Sequence, residues 1–368
     1  MTRVQIVDPS AFTPPYDHAL SGALARAGAE VELITSRFAY GTVPAPDGYA
    51  VRELFYRRSY GAPGSRARLV GKLVQHVPDM LRYRTVARAA DVVHFQWLTV
   101  QAIDRWLLPS GPVVLTAHDL LPREPRPGQT WAQRRLYEAV DAVVVHSSYG
   151  RGLLVDRLGV PADKVRVIHH GAFDHLTALP DEVSLPPDLA AVDGPVVLFF
   201  GLVRPYKGVE TLLQAWRGVS GAQLWIVGRP RMPVDSLRLA GGPSVRFVPR
   251  FVSDAELPAF FRRADVVVLP YVRTERLDWS GVLATALAFG KPTVVSDVGG
   301  FGELAQLDAV RLVAPGDVSA LGSALTALLG DPAERSRLAA GALNAARGPY
   351  SWDAAARETL ALYRDLVG

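Results

Sequence analysis

The stretch Val196-Val197-Leu198-Phe199-Phe200-Gly201-Leu202-Val203-Arg204-Pro205-Tyr206-Lys207-Gly208-Val209-Glu210 decides the fold. Residues 196–200 are apolar without polar alternation, which suits a strand covered on both faces of a parallel sheet. Gly201 ends the run, two cations follow, and residues 210–216 read as a covering helix. Working outward, the same unit recurs. Short apolar runs occupy residues 224–227, 245–248, 266–269, 293–295 and 310–313 of the second half. In the first half they occupy residues 4–7, 31–35, 92–95, 113–116, 142–146 and 165–168, with a covering helix at 19–28. Strand alternating with helix implies a doubly wound α/β sheet, and here it is written twice. A linker at about residues 172–194 separates the halves. Its proline-rich pieces, 179–182 and 185–188, are expected to be neither helix nor central strand. The expected architecture is two Rossmann-like domains facing across a cleft, with ligands beyond the carboxyl ends of the strands.

The chain has 368 residues, with 40 Lys+Arg against 36 Asp+Glu for a net charge of +4. That balance gives no nucleic-acid signature. With 49% apolar and 21% charged residues a large core can be buried. There is no cysteine, which excludes disulfides, thiolate nucleophiles and Cys-bound metal sites. No run reaches the roughly 18 apolar residues of a spanning helix, and Met1-Thr2-Arg3 leads straight into a strand rather than a signal sequence. The chain reads as a cytoplasmic protein. Residues 51–90 stand apart, with nine basic residues against Glu53 and Asp79 and with Phe55, Tyr56, Tyr60, Leu69, Val70, Leu73 and Val74 interleaved. Such a surface is either a solvated helix face or a peripheral contact with the inner face of a membrane.

Two features carry chemistry. Arg204 and Lys207, in the turn after residues 196–200, are spaced to grip one anionic group: a guanidinium fork and a compact ammonium. The Walker order of glycines and lysine is missing. In Trp279-Ser280-Gly281-Val282-Leu283-Ala284-Thr285-Ala286-Leu287-Ala288-Phe289-Gly290-Lys291-Pro292, Ser280 is placed to cap an apolar helix and Gly281 admits a ligand close to the backbone. The free amides and dipole of such a helix start favour a phosphate. His118 stands at a strand end in Thr116-Ala117-His118-Asp119, a position suited to function. No Asp-x-Asp occurs, and His169, His170 and His175 lack the spacing of a metal site, so no metal is expected.

These residues resemble the retaining glycosyltransferases of family 4, which have the GT-B fold. The resemblance is carried by Phe200-Gly201 with Lys207-Gly208, by Leu224-Trp225-Ile226-Val227-Gly228 and by Ala264-Asp265-Val266-Val267-Val268-Leu269-Pro270. It continues in Gly290-Lys291-Pro292 and Ser296-Asp297-Val298-Gly299-Gly300 with Glu303, and more loosely in Asp91-Val92-Val93-His94 and Val167-Ile168-His169-His170-Gly171. It implies an acceptor-side domain of residues 1–178 completed by a helix at about 353–368, and a nucleotide-sugar domain of residues 179–352. It implies transfer from a nucleoside-diphosphate sugar, UDP- or GDP-type, to an acceptor hydroxyl on a glycan, a lipid-linked or a small molecule, with retention and without a metal or other cofactor. Arg204 and Lys207 match the cations on the donor diphosphate. Gly281 and Val282 match the backbone that approaches it at a helix N-terminus, Gly201, Ser280 and Thr285 are expected in the same donor site, and Arg250, Phe251 and Val252 match the contacts to the base. His118 matches a histidine near the transferred sugar, and residues 8–16 match the loop that shapes the acceptor site. The family's two glutamates fall here on Leu277 and Thr285. Asp278, or less readily Glu275, then stands in for the sugar-addressing glutamate, and Thr285 for the ribose-addressing one. The missing pair motivates the alternative of a catalytically silent binder of sugar nucleotides or glycans partnering an active transferase.

Overall fold

The computed structural model describes residues 1–39, 41–59, 62, 65–122, 127–180 and 183–368. Tyr60 of the basic segment and Asp181 and Glu182 of the linker lie outside the described residues. The chain divides into two compact units. One comprises Met1–Gly171, Glu275–Asp278 and Trp352–Gly368, the other Ala172–Thr274 and Trp279–Ser351.

The first unit runs β1 (Arg3–Asp8), α1 (Pro14–Arg26), β2 (Glu30–Ser36), β3 (Ala50–Phe55), α2 (Arg66–Val86), β4 (Val92–Phe95), α3 (Gln101–Leu107), β5 (Val113–Thr116), α4 (Gln129–Ala139), β6 (Ala142–Val145), α5 (Ser148–Gly152) and β7 (Val165–Val167). Its sheet has the order β3-β2-β1-β4-β5-β6-β7, and the pairings are parallel. Every residue of β4, β5 and β6 is buried, as the unalternating runs demand. β3 was not expected. It is the edge strand, exposed over its first four residues, so it has no need of a continuous apolar run.

The second unit runs α6 (Pro187–Ala190), β8 (Val196–Phe200), α7 (Val209–Trp216), β9 (Gln223–Val227), α8 (Asp235–Gly241), β10 (Val245–Val248), α9 (Leu257–Arg263), β11 (Val266–Leu269), α10 (Gly281–Ala288), β12 (Thr293–Ser296), α11 (Phe301–Ala305), β13 (Arg311–Val313), α12 (Val318–Gly330) and α13 (Pro332–Arg347). Its parallel sheet has the order β10-β9-β8-β11-β12-β13. Residues 196–199 of central β8 are fully buried. α14 (Trp352–Val367) then belongs to the first unit, where it packs on α1. The Tyr363 hydroxyl lies 2.7 Å from His94 Nδ1.

The linker needs one correction. Residues 187–190 are helical although Pro187 was expected to forbid it. Proline sits in the first turn, where its missing N–H would have had no partner and its fixed φ suits a helix.

Two glycines bring strand-end loops of the second unit into contact. Gly208 (φ +68°) closes the turn after β8, and a Cβ there would lie 1.8 Å from the Pro270 carbonyl oxygen beyond β11. Gly228 (φ +140°) lies after β9, and its Cβ would meet the Gly201 carbonyl oxygen at 2.0 Å. Only glycine combines that backbone with that approach.

Candidate active site

In the second unit the turn after β8 and the start of α10 converge. Arg204 precedes a 3-10 turn, Pro205–Lys207, whose Lys207 amide donates to the Arg204 carbonyl at 3.0 Å. The turn is tied to the chain beyond β11 by the Val272 amide, which donates to the Tyr206 carbonyl at 2.9 Å. Lys207 is buried, and its ammonium donates to the Tyr271 hydroxyl and lies 4.3 Å from the centre of that ring. Tyr271 Oη is in turn 3.1 Å from Ser280 Oγ. A Cβ on Gly201 (φ +108°) would lie 3.1 Å from Val282 and 3.8 Å from Lys207 Nζ. Gly201, Lys207, Ser280 and Val282 therefore gather in one place, with Tyr271 as the link. Arg204 stands on the same turn, and its Nε is buried without a hydrogen-bond partner among the described residues. A buried N–H left unpaired costs on the order of 1–3 kcal/mol, a cost that an anion would remove.

Gly281 is exposed at the first turn of the eight-residue α10, where helix amides have no intrahelical acceptor. Ser280 holds the cap position with extended backbone, but its side chain makes no capping bond and turns to Tyr271 instead. That corrects the expected capping role: the hydroxyl is diverted by a closer phenol, leaving the first amides of α10 uncapped by it. Thr285 is buried, and its hydroxyl donates to the Gly281 carbonyl at 2.9 Å. Only its lone pairs remain to meet a ligand.

Arg250, Phe251 and Val252 follow β10 in one short loop. The Arg250 guanidinium pairs with Glu256 at 2.7 Å and donates to the Phe251 carbonyl at 3.0 Å. The pairing pulls the Glu256 carboxyl down to about 2, chiefly through the Arg250 hydrogen bond. Phe251 is 55% exposed, whereas Val252 is buried. The three thus present an aromatic face on a loop braced by an ion pair.

The first unit gathers histidines at the carboxyl ends of its strands. His118 stacks on Trp97 (centroids 5.1 Å, 19° between planes) and meets the Tyr16 ring edge-on at 4.6 Å. His146 Nδ1–H donates to the Ile168 carbonyl at 3.0 Å, so its Nε2 lone pair faces His118 Nδ1 at 3.4 Å. The Gln96 amide faces His118 Nε2 at 3.1 Å. Gln96 is fully buried, and its Nε2 has no partner among the described residues. A cavity of about 250 Å³ opens here, lined by Gln96, Trp97, Gln101, His118, Asp119 and Gln133 with apolar neighbours. Amides and a stacked aromatic face suit hydroxyl-rich rings. Burial keeps the nearby His94, His146 and His170 neutral, lowering them to about 3, 4 and 3.

Residues 8–16 form a loop held by Asp8, whose carboxylate accepts from the amides of Ser10 (3.1 Å), Phe12 (2.5 Å) and Thr13 (3.2 Å). Burial raises the Asp8 carboxyl, and it raises its neighbour Asp17 further.

Asp278 lies elsewhere than its expected role requires. It is fully buried in the first unit, where one oxygen accepts from the His146 amide at 2.5 Å and the other from the Ser147 hydroxyl. Ser147 caps α5, so Asp278 pins the end of β6 to that helix and has no exposed face for a sugar. Glu275 pairs with Arg157 at the surface. Leu277 is buried and bridges Asp119. Residues that the sequence reading missed are Tyr271, Gln96, Trp97 and His146. Each directly follows a strand, at most two residues beyond its end, which is the signal that was available. Among the described residues no three His, Asp or Glu side chains gather as a metal site requires.

Two parallel, doubly wound sheets, each with such strand-end loops, suit the GT-B fold. Comparison bears this out: the chain superposes on sucrose-phosphate synthase from Thermosynechococcus elongatus with a TM-score of 0.77 at 21% identity, covering 100% of this chain and 99% of that one. Anabaena HepE in complex with UDP gives 0.73 at 16% identity, with 100% of both chains covered. A family model for glycosyl transferases group 1 matches residues 194–331, and one for glycosyltransferase family 4 matches residues 16–172. The D-inositol 3-phosphate glycosyltransferase of Xylanimonas cellulosilytica is 31% identical over 383 residues, covering 94% of this chain and 89% of that one. The chain belongs to the family 4, group 1 glycosyltransferases, and it is a glycosyltransferase enzyme.

Proposed function

We propose that this enzyme transfers a sugar from a nucleoside diphosphate to an acceptor hydroxyl with retention, using side-chain cations in place of a metal. The observation that carries the reading is the convergence of Lys207, Gly201 and Val282 beside the unpaired Arg204 Nε. As the bond between the anomeric carbon and the phosphate oxygen breaks, its electron pair passes to the diphosphate. Lys207, Arg204 and the first amides of α10 stabilise that growing charge. The acceptor oxygen bonds to the anomeric carbon on the same face, and its proton passes to the departing phosphate oxygen. No side-chain base is required. Exposed Phe251 stacks on the base, Arg250 and Val252 hold its loop, and Thr285 accepts from a ribose hydroxyl.

In the first unit, His118 orients the sugar and Gln96 and Trp97 line the acceptor's place. Asp278 acts as a positioning residue behind them. Because HepE holds UDP, the donor is read as UDP-type. The acceptor is read as an inositol phosphate or similar polyol, the substrate class in the Xylanimonas relative's name. The silent-binder alternative is not favoured, because the relative is named as a transferase.

The test is a thermal-shift panel of UDP-, GDP-, ADP- and dTDP-sugars. Nucleotide release is then followed with inositol phosphate, with and without EDTA, and NMR assigns the product's anomeric configuration. Stabilisation by one donor, EDTA-insensitive release and a retained anomer are expected. Inversion, or activity abolished by EDTA and restored by metal, would defeat the mechanism.

A further inference from the structure

We propose that the outer face of α2 docks this enzyme on an anionic lipid bilayer. The 21-residue helix buries His76, Met80 and Tyr83. That inward face is complete: His76 is bonded to Tyr56 (2.7 Å) and Asp104 (2.5 Å), and Tyr83 donates to Gln5 at 3.0 Å. The outward face is apolar. Leu69, Val70, Leu73 and Val74 are 59%, 59%, 61% and 71% exposed, and Val77 and Leu81 continue the row. Their spacing of i, i+1, i+4, i+5, i+8 and i+12 puts them on one side of a helix. Single exposed aliphatics are ordinary, but a contiguous row marks an interaction surface.

Charge selects the occupant. Arg66, Arg82 and Arg84 on α2 and Arg88 just beyond it are exposed, as are Arg57 and Arg58. The sole acid on the helix, Asp79, accepts a 2.7 Å bond from the Tyr56 amide. An apolar row flanked by cations fits acyl chains beneath anionic headgroups. A second copy would bring the same arginines face to face, so self-association is disfavoured. None of these residues belongs to the donor or acceptor sites, and the inference stands independently of the transfer chemistry.

Co-sedimentation of the full chain with vesicles of phosphatidylcholine alone, or mixed with phosphatidylglycerol, tests it without any donor. Capture is expected on the mixed vesicles only, and it should weaken in high salt. The double variant Leu73→Asp, Val74→Asp should lose at least about tenfold in partition, since two inserting side chains are removed. Arg82→Gln with Arg84→Gln should lose about 25-fold at low salt, each cation near the surface being worth about fivefold. Both changes are at exposed positions, and unchanged melting shows that the fold persists. Absence of capture at low salt would overturn the proposal. So would equal capture of the aspartate variant, or sedimentation velocity showing a dimer that this variant splits.

Discussion

Replacing Lys207 by methionine isolates the charge at the centre of the donor site. Methionine keeps most of the length and the packing against the Tyr271 ring, which the ammonium approaches to 4.3 Å. Lys207 is 7% exposed, so its field reaches a neighbouring phosphate with little screening. A unit pair at 4 Å in a medium of effective dielectric 20 is worth about 4 kcal/mol. Loss of one preorganised partner for a developing anion lowers kcat by about 10²–10³-fold. Part of the interaction exists already with the bound donor, so KM should rise, and kcat/KM should fall further than kcat. The assay is nucleotide release under saturating donor, with circular dichroism to confirm folding. Melting should change little, because the lost Tyr271 contact is offset by relief of a buried charge. A folded variant that retains kcat within about threefold would refute the reasoning.

Gly208→Ala should lower the melting temperature by more than about 5 °C, since a left-handed backbone and a collision with the Pro270 carbonyl combine. Phe251→Ala should raise the donor KM by about 5–30-fold through a lost base stack of about 1–2 kcal/mol while leaving kcat nearly unchanged. Stability should fall with acid between pH 6.5 and about 4. His94, His146 and His170 stay neutral in the fold, lowered to about 3, 4 and 3, but take protons when unfolded. The unfolded state then binds more protons, so stability is full above the ordinary histidine pKa and is lost below it, by about 1.4 kcal/mol per histidine at pH 5.5. The raised Asp17 carboxyl works in the opposite sense, which makes the net fall smaller than three histidines give. Denaturant titrations across that range check the sign.

The central strands were legible because a parallel strand covered on both faces is nearly continuous in apolar residues, as β4–β6 and β8 are with only His94 and Thr116 as polar members. β3 escaped notice because an edge strand tolerates Arg52 and Glu53 on exposed positions. The helix at residues 187–190 did so because proline forbids a helix interior but not its first turn. Part of the site was legible for a similar reason. A glycine turn bearing Arg204 and Lys207 advertises anion chemistry in its composition, and the fold has only to close it. Tyr271 shows no such mark in the sequence. Its role comes from the backbone approach at Gly208, which brings the chain just beyond β11 against the turn after β8. Asp278 misled for the converse reason. It stands next to the position of a family glutamate, but the chain carries it into the first unit to brace β6 and α5.

In this mechanism the second unit grips a departing pyrophosphate. A crystal structure with the nucleoside diphosphate selected by the thermal-shift panel tests it most directly. The phosphates should lie within hydrogen-bond distance of the Lys207 ammonium, the Arg204 guanidinium and the Gly281 and Val282 amides. Phosphates bound elsewhere, with Lys207 still turned to Tyr271 and Arg204 Nε still unpaired, would contradict it.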